Sequence, residues 1–338
     1  MGKIAMIGSL VRVFLPEGVV AALFPKRDVY RGEMIDPKAF AVGRLVNQMR
    51  PAGEVPDVAE GRKMLRDVAD KFDVRVDLAR VEDITVQGAE GPLKARLFSD
   101  HADKSPRPAM VYYHGGGFVQ GDLHSHNHTC AKLAKYWGGV VVSVDYRLAP
   151  EHPFPAAPED CEAAFLDVVA RGAELGIDPA KTGVGGDSAG GNLATVVAQQ
   201  RVIKGGAKPA FQVLVYPTVD GTLSSDSVRD HAHDFVLPEE ILFWFRDTYA
   251  GDWRDFEDPR FSPMFGPAEG LPPTYIITAG FDPLVDEGTA YGEKLADAGV
   301  KVTHRHFPGQ IHGFVNLGKV IPQGITALRE VAEWLKER

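Results

Sequence analysis

The residues best suited to chemistry in this chain surround Ser188, in the segment TGVGGDSAGGNLATVVAQQ. Residues 186–190 of this segment read G-x-S-x-G, with an apolar strand pattern before them and a helical pattern after them. In that context a sharp turn presents the serine hydroxyl, and the glycines let strand and helix approach closely. The pattern predicts Ser188 as a nucleophile. On the pentapeptide alone, a glycine-rich connection with Ser188 as a helix N-cap stays open.

A second glycine-rich stretch, YYHGGGFVQGD, follows the apolar segment at 109–113. Attack of a serine on a carbonyl group creates an oxyanion, which fixed backbone N–H groups stabilise. A loop of the HGGG type supplies such groups together with the residue after the nucleophile. We therefore expect an oxyanion hole made by Gly116, Gly117 and Ala189. A phosphate-binding loop is disfavoured, because no Lys-Ser or Lys-Thr pair follows the glycines.

A nucleophilic serine needs a histidine base and a carboxylate that orients the histidine. In chains with the G-x-S-x-G turn the acid comes after the serine and the histidine comes last. His312, in PGQIHGF, follows the last predicted strand and is the predicted base. Asp282, directly after the strand TYIITAG, is the predicted acid. The alternatives are a plain N-cap role for Asp282 before Pro283, or Asp286 as the acid.

Four other histidines fit the role of base less well. His304 and His306 lie on one face of the last predicted strand, where packing or solvent contact is expected. His231 and His233 belong to a long region inserted between two strands, which makes them neighbours of a substrate rather than bases.

A metal site is also disfavoured. His124, His126 and His128 form H-x-H-x-H, but this spacing shares one face only in a strand, and the segment leads into a helix. The only cysteines, Cys130 and Cys161, lie in helical patterns and are expected to be free buried thiols. Neither lies in a glycine-rich turn or beside a plausible base, so a cysteine nucleophile is not predicted.

The composition is that of a globular protein, with 44% hydrophobic and 25% charged residues among 338. A formal net charge of -9 without a dense basic run argues against a nucleic-acid partner. The apolar N-terminus is interrupted by Arg12, Pro16 and Glu17, so it lacks the roughly 20 apolar residues of a membrane helix. We expect a cytoplasmic protein without stable membrane insertion, whose first helices pack on the protein or on a partner subunit. Interfacial membrane contact and a targeting segment are the alternatives.

The elements that position these residues alternate between short β-branched runs and helical patterns from about Ile84 onward. This alternation predicts an α/β protein with a largely parallel sheet covered by helices on both faces. Residues 1 to about 80 and about 218–263 fall outside the alternation, and the second region is well placed to cover a site. The predicted strands are an opening hairpin of DITVQG and LKARLF, then AMVYYH, VVVSVDY, TGVGGD, FQVLVYP, TYIITAG and KVTHRHF.

With these motifs in order, the sequence resembles the hormone-sensitive lipase family of α/β-hydrolases, in particular its bacterial carboxylesterases. The resemblance runs from about Asp36 to the C-terminus and includes HGGGFVQGD, SVDYRLAPEHPFPAA, GGDSAGGNLA, FSPMF, FDPLVDEG and IHGF. It implies an α/β-hydrolase fold with a mostly parallel eight-stranded sheet and a helical cap. It also implies a serine esterase without metal or organic cofactor, acting on small esters with short to medium acyl chains through an acyl-enzyme.

By position, the resemblance assigns the nucleophile to Ser188, the general base and acid to His312 and the orienting carboxylate to Asp282. It assigns the oxyanion donors to Gly116, Gly117 and Ala189. It divides the chain into a cap segment at 1–50, a core at 51–217, a cap insertion at 218–263 and the rest of the core at 264–338.

Three further expectations concern partners and rival functions. The additional apolar N-terminus and the predicted edge strand KVTHRHF favour a homodimer. A ligand-binding protein that has lost catalysis is disfavoured because His312 is present, whereas an amidase or arylformamidase with the same triad stays open. Action on long-chain fat is disfavoured by the polar start of the inserted region, DGTLSSDSVRDHAHD.

Overall fold

The structure, a computed structural model, describes residues 3–49, 54–233 and 236–338. A short hairpin, β1 (Val29–Tyr30) and β2 (Glu33–Met34), precedes the main sheet. The strands of the main sheet are β3 (Arg80–Gln87), β4 (Pro92–Ser99), β5 (Arg107–Tyr113), β6 (Val140–Val144), β7 (Ile177–Asp187), β8 (Gln212–Val215), β9 (Thr274–Phe281) and β10 (Val302–Ile311).

The main sheet has eight strands in the spatial order β10-β9-β8-β7-β5-β6-β4-β3. β3 and β4 pair antiparallel, as does β4 with β6, and every other pairing is parallel. The predicted opening hairpin, the largely parallel sheet and the edge position of the last strand are therefore confirmed.

Helices cover both faces of the sheet. They are α1 (Lys3–Phe14), α2 (Glu17–Leu23), α3 (Pro37–Met49), α4 (Val58–Phe72), α5 (Asn127–Trp137), α6 (Ala156–Ala170), α7 (Gly172–Leu175), α8 (Ala189–Lys204), α9 (Asp226–Asp230), α10 (Glu239–Ala250), α11 (Val285–Asp297) and α12 (Gln323–Lys336).

Alternation along β5 divides the interior into two cores. Met110 and Tyr112 pack with residues of α3, α5 and α12 on one face of the sheet. Val111 and Tyr113 pack with residues of α6, α8 and α11 on the other face. Because successive side chains of a strand point to opposite faces, a strand covered on both sides reads as a continuous apolar run.

The N-terminal helices α1 and α2 pack on the protein itself. Val13 of α1 and Val20 of α2 are fully buried in the core that also holds α3 and α12. Among the described residues no helix is long and apolar enough to cross a membrane. The predicted boundary between the cap segment and the core falls at residues 50 and 51, which lie outside the described residues.

The parallel strands end side by side at one edge of the sheet. Tyr113, the last residue of β5, pairs with Gly186 of β7, and Asp187 pairs with Val215 at the end of β8. The loops that follow these strands therefore start next to one another, which is where open α/β sheets place their binding sites.

Candidate active site

Ser188 stands on a sharp turn between β7 and α8, with φ of 55° and ψ of -119°. A positive φ is strained for a residue with a side chain, and here it lifts the hydroxyl above the strand ends. Glycine is required at positions 186 and 190 because other backbone segments approach these positions closely. A Cβ on Gly186 would lie 2.4 Å from the carbonyl of Gly190, and one on Gly190 would lie 1.9 Å from the carbonyl oxygen of Tyr113.

Three of the predicted site residues form one hydrogen-bonded chain. His312 Nε2 lies 3.0 Å from Ser188 Oγ, and His312 Nδ1 lies 2.7 Å from Asp282 Oδ2. Asp282 is fully buried and also accepts a hydrogen bond from the backbone N–H of Leu284 at 2.9 Å. With a proton on Nδ1 that is donated to Asp282, Nε2 is free to accept the hydroxyl proton of Ser188.

The alternative acid, Asp286, makes a different contact. Its carboxylate accepts two hydrogen bonds from the Arg31 guanidinium, at 2.5 and 3.0 Å, and one from the backbone N–H of Ser227 at 2.9 Å. The Arg31 hydrogen bond holds the pKa of the Asp286 carboxyl below its usual range, against the effect of burial. Of the two carboxylates weighed from the sequence, it is Asp282 that reaches His312.

The hairpin β1–β2 fastens the inserted region to this part of the core. The Tyr30 hydroxyl donates to Asp230 of α9 at 2.8 Å, while the neighbouring Arg31 binds Asp286 of α11. The ring of His231 packs on Tyr30 at 4.3 Å, so His231 serves this junction. His304 and His306 both contact the hydroxyl of Thr278 in the adjacent strand.

The predicted oxyanion loop runs beside the turn at Ser188. Gly116 and Gly117 have φ of 117° and 61°, and both line the cavity that Ser188 and His312 also line. A Cβ on Gly116 would lie 2.3 Å from the carbonyl oxygen of Gln120. Such positions require glycine and bring the backbone N–H groups close to a bound molecule.

The third predicted donor, Ala189, is buried and is the first residue of α8, a helix of 16 residues. The first N–H groups of a helix have no partner within the helix and carry the positive end of its dipole. An anion that forms at Ser188 therefore meets a favourable electrostatic field.

The side chain of Asp187 connects three parts of the site. Its carboxylate accepts hydrogen bonds from the Tyr112 hydroxyl at 2.7 Å, the Gly115 N–H at 3.1 Å and Asn316 Nδ2 at 3.1 Å, and it lies 3.2 Å from His126 Nε2. Burial works to raise the pKa of this carboxyl, but His126 and the hydrogen bonds hold the pKa well below its usual range. The oxyanion loop, the serine turn and the loop after His312 are thereby tied together.

Sequence reasoning missed the part of this network outside the motifs. Asn316 follows IHGF by two residues, and nothing in its local pattern distinguishes it from a surface asparagine. For His126 the sequence predicts a place at the helix start or in support of the site residues rather than on a metal, without indicating its partner, which is Asp187. His114 stacks on Tyr146 at 4.4 Å, and burial lowers the pKa of its imidazole to about 4, so the ring is neutral at neutral pH.

The cavity beside Ser188 has a volume of about 480 Å³ and is mostly apolar. This size lies in the usual range of sites for small molecules. One group of lining residues comes from the inserted region and its surroundings: Leu223, Val236, Leu237, Ile241, Leu242, Phe245, Tyr249 and Phe261. The other group comes from the N-terminal helices and the loop after His312: Val13, Val42, Leu45, Val46, Met49, Met64, Leu65, Val68, Phe72, Leu317 and Val320.

The described residues contain no cluster of three or more His, Cys, Asp or Glu side chains that could hold a metal ion. In the H-x-H-x-H segment, His124 Nε2 lies 3.1 Å from an oxygen of Asp70, while His126 contacts Asp187. Cys130 and Cys161 are free and buried, as the sequence predicts, and burial raises the pKa of both thiols.

The chain is similar to known proteins over most of its length. Residues 110–316 match the Abhydrolase_3 family, whose members have the alpha/beta hydrolase fold. The sequence is 41% identical to Esterase LipI of Mycobacterium tuberculosis over 282 residues, which cover 80% of this chain and 87% of that protein. It is 34% identical to the ethyl acetate hydrolase of Pseudomonas putida over 314 residues, which cover 90% of this chain and 99% of that protein.

Solved structures are similar over most of the chain. A hyperthermophilic esterase from the archaeon Pyrobaculum calidifontis superimposes with a TM-score of 0.82 at 38% sequence identity, covering 87% of this chain and 96% of its own. An ester hydrolase from the metagenome of Lake Arreo superimposes with a TM-score of 0.86 at 37% identity, covering 90% of this chain and 99% of its own.

Proposed function

Because the chain belongs to the hormone-sensitive lipase-like family of α/β-hydrolases and is a carboxylic ester hydrolase, we propose that its nucleophile is Ser188. His312 acts as general base and acid, Asp282 orients it, and the N–H groups of Gly116, Gly117 and Ala189 stabilise the oxyanion. The single observation that carries this proposal is the contact of His312 with Ser188 Oγ on one side and Asp282 on the other.

The first half of the reaction forms an acyl-enzyme. Ser188 Oγ bonds to the carbonyl carbon of the ester while its proton moves to His312 Nε2, and the carbonyl oxygen becomes an oxyanion held by the three N–H groups. When this intermediate collapses, the bond from carbon to the alcohol oxygen breaks. His312 gives its proton to that oxygen, so the alcohol leaves neutral and the acyl group stays on Ser188.

The second half repeats these steps with water. His312 Nε2 takes a proton from a water molecule as its oxygen bonds to the acyl carbon, and the same N–H groups hold the second oxyanion. Collapse breaks the bond to Ser188 Oγ, which regains its proton from His312, and the carboxylic acid is released. Each step needs only the six residues named above, together with ester and water.

The cavity supports the proposed substrate class. Its lining is mostly apolar, and a volume of about 480 Å³ accommodates esters of short to medium acyl chains. Because the same residues would also cleave an amide, an amidase is the second candidate, and only the pocket and the leaving group separate the two. We further propose that the protein is cytoplasmic and that it forms a homodimer. The homodimer is supported by the apolar N-terminus and by the position of β10 at the edge of the sheet.

The test is hydrolysis of p-nitrophenyl butyrate and p-nitrophenyl palmitate by the wild type, by Ser188→Ala and by Ser224→Ala. Ser224 is an exposed serine of the inserted region and serves as a matched control. We expect rapid butyrate hydrolysis, much slower palmitate hydrolysis, and loss of activity only in Ser188→Ala. The matched amide, butyryl p-nitroanilide, is expected to react far more slowly. Full activity in Ser188→Ala would overturn the assignment, and faster cleavage of the amide would favour the amidase.

A further inference from the structure

The cavity extends from Ser188 into an apolar recess among the N-terminal helices. We name this recess the N-terminal arm and define it by six lining residues: Val13, Val42, Leu45, Val46, Val68 and Phe72. None of these side chains carries a polar atom. An unbranched alkyl chain is the ligand that such a lining accepts, because burying methylene groups there removes them from water at no polar cost.

The residues around the arm differ in their exposure to solvent. Met49 and Met64 also line the cavity and are 51% and 47% exposed, so they form its rim. Val42 and Leu45 of α3 are buried, and Val13 in the last turn of α1 is completely buried. Val13 is therefore the residue of the arm that is most completely shielded from solvent.

The position of Val13 is fixed by a buried lysine. Lys38 Nζ donates hydrogen bonds to the backbone carbonyls of Val13 and Leu15, the second at 2.8 Å, although Lys38 is only 4% exposed. Carbonyls in the last turn of a helix lack partners within the helix, and a cation there also interacts favourably with the helix dipole. The end of α1 is thus anchored to α3.

A second contact anchors the same turn to α4. The ring of Phe14 stacks on that of Phe72 with a centroid distance of 5.8 Å. Contacts with α3 and α4 therefore hold the end of α1 in place where it meets the arm. Because the end of α1 is fixed, it limits the length of a group that binds in the arm.

We propose that Val13 sets the longest unbranched alkyl chain that the substrate ester carries in the N-terminal arm. This inference rests on the proposed esterase function and adds to it the residue that limits chain length. Each methylene buried in the arm strengthens binding by about fourfold. Once the chain reaches Val13, a further methylene gains nothing or forces the wall to move. The chain belongs either to the acid or to the alcohol of the ester.

The experiment compares Val13→Ala and Val13→Phe with Val20→Ala. Val20 is as fully buried as Val13 in the same core but does not line the cavity, so its truncation is the matched control for lost packing. The kcat/KM values are measured on p-nitrophenyl esters from butyrate to myristate, and on alkyl acetates from ethyl to dodecyl acetate. The first series lengthens the acid and the second lengthens the alcohol.

We expect Val13→Ala to raise the ratio of long-chain to short-chain kcat/KM by at least about fivefold, and Val13→Phe to lower it by a similar factor. Val20→Ala is expected to leave the ratio at the wild-type value while lowering stability. A change confined to the p-nitrophenyl series places the acyl chain in the arm, and a change confined to the acetates places the alcohol there. Equal ratios in all four proteins, or an equal shift with Val20→Ala, would overturn the proposal.

A binding measurement separates this proposal from the assignment of Ser188. Octanoate, decanoate and laurate, and separately 1-octanol, 1-decanol and 1-dodecanol, are titrated calorimetrically into Ser188→Ala and into Ser188→Ala with Val13→Ala. We expect the truncation of Val13 to tighten laurate binding relative to octanoate by at least about fivefold. This readout needs no hydrolysis, so it stands even where the esterase test fails. Unchanged ratios of long-chain to short-chain dissociation constants in both the acid and the alcohol series would contradict the role of Val13.

Discussion

His312 Nδ1 and Asp282 Oδ2 lie 2.7 Å apart, and the carboxylate of Asp282 has no exposure to solvent. Such a contact fixes both the orientation of the imidazole ring and the nitrogen that carries its proton. It leaves Nε2 facing Ser188 Oγ, where a base is required. The contact joins two loops that follow neighbouring strands, β9 and β10.

We predict that Asp282→Asn lowers kcat by about 10³ to 10⁴-fold, because the amide favours the wrong tautomer of His312. Steady-state kinetics on p-nitrophenyl butyrate measures this loss. Asp286→Asn is the matched control, since Asp286 binds Arg31 rather than His312. A loss in Asp286→Asn as large as that in Asp282→Asn would contradict the assignment of the acid.

The sequence predicts much of this site because its chemistry lies at strand ends. Ser188, Asp282 and His312 each come directly after a strand, and the carboxyl ends of parallel strands meet at one edge of a sheet. The order of the motifs along the chain therefore indicates which side chains are close in space.

The remaining contacts depend on tertiary packing. Arg31 and Asp286 are 255 positions apart in the chain, and no local sequence pattern predicts that they form a pair. The same holds for Lys38, whose sequence neighbourhood is typical of an exposed lysine but which is buried at the end of α1. Strand lengths also depend on partners. β7 begins at Ile177 rather than at Thr182, because Ile177 pairs with Arg107 before an irregularity in the ladder.

Gly117 is predicted to be intolerant of a side chain. Its φ is 61°, and a Cβ there would lie 2.2 Å from the ring of Phe245 in α10. We expect Gly117→Ala to lower kcat/KM by about 10²-fold through displacement of the oxyanion loop. Gly18→Ala is the control, because a Cβ on Gly18 in α2 meets nothing within 4 Å.

A second substitution tests the cause of that loss. The double variant Gly117→Ala with Phe245→Ala lacks the aromatic ring and so gives the new methyl group room. We expect its kcat/KM to be at least about tenfold higher than that of Gly117→Ala alone. Assays with p-nitrophenyl butyrate measure both variants. An unimpaired Gly117→Ala would be incompatible with the proposed role of the loop.

Glu287 is predicted to make stability depend on pH. This side chain of α11 is buried, and its Oε1 accepts hydrogen bonds from the N–H groups of Val219 at 2.7 Å and Asp220 at 3.3 Å. Burial raises the pKa of the Glu287 carboxyl from 4.5 to about 8. The folded state therefore holds a proton that the unfolded state has released, so the contribution of Glu287 to stability is fully present below pH 4.5 and is lost as pH rises towards 8.

We expect this carboxyl to contribute a slope of up to about 1.4 kcal/mol per pH unit across that window, and Glu287→Gln to remove the contribution. Urea unfolding of both proteins over a series of pH values measures it. Glu333→Gln, at an exposed position of α12, is the control and is expected to leave the wild-type dependence unchanged. Parallel stability curves for the wild type and Glu287→Gln would be inconsistent with a buried protonated carboxyl.

The most direct test of the central claim is to identify the side chain that becomes covalently modified. The protein is inactivated with diethyl p-nitrophenyl phosphate, digested, and the phosphorylated peptide sequenced by mass spectrometry. We expect a single diethylphosphoryl group on Ser188, formed in step with the loss of esterase activity. Inactivation with the label on another residue, or with Ser188 unmodified, would contradict it.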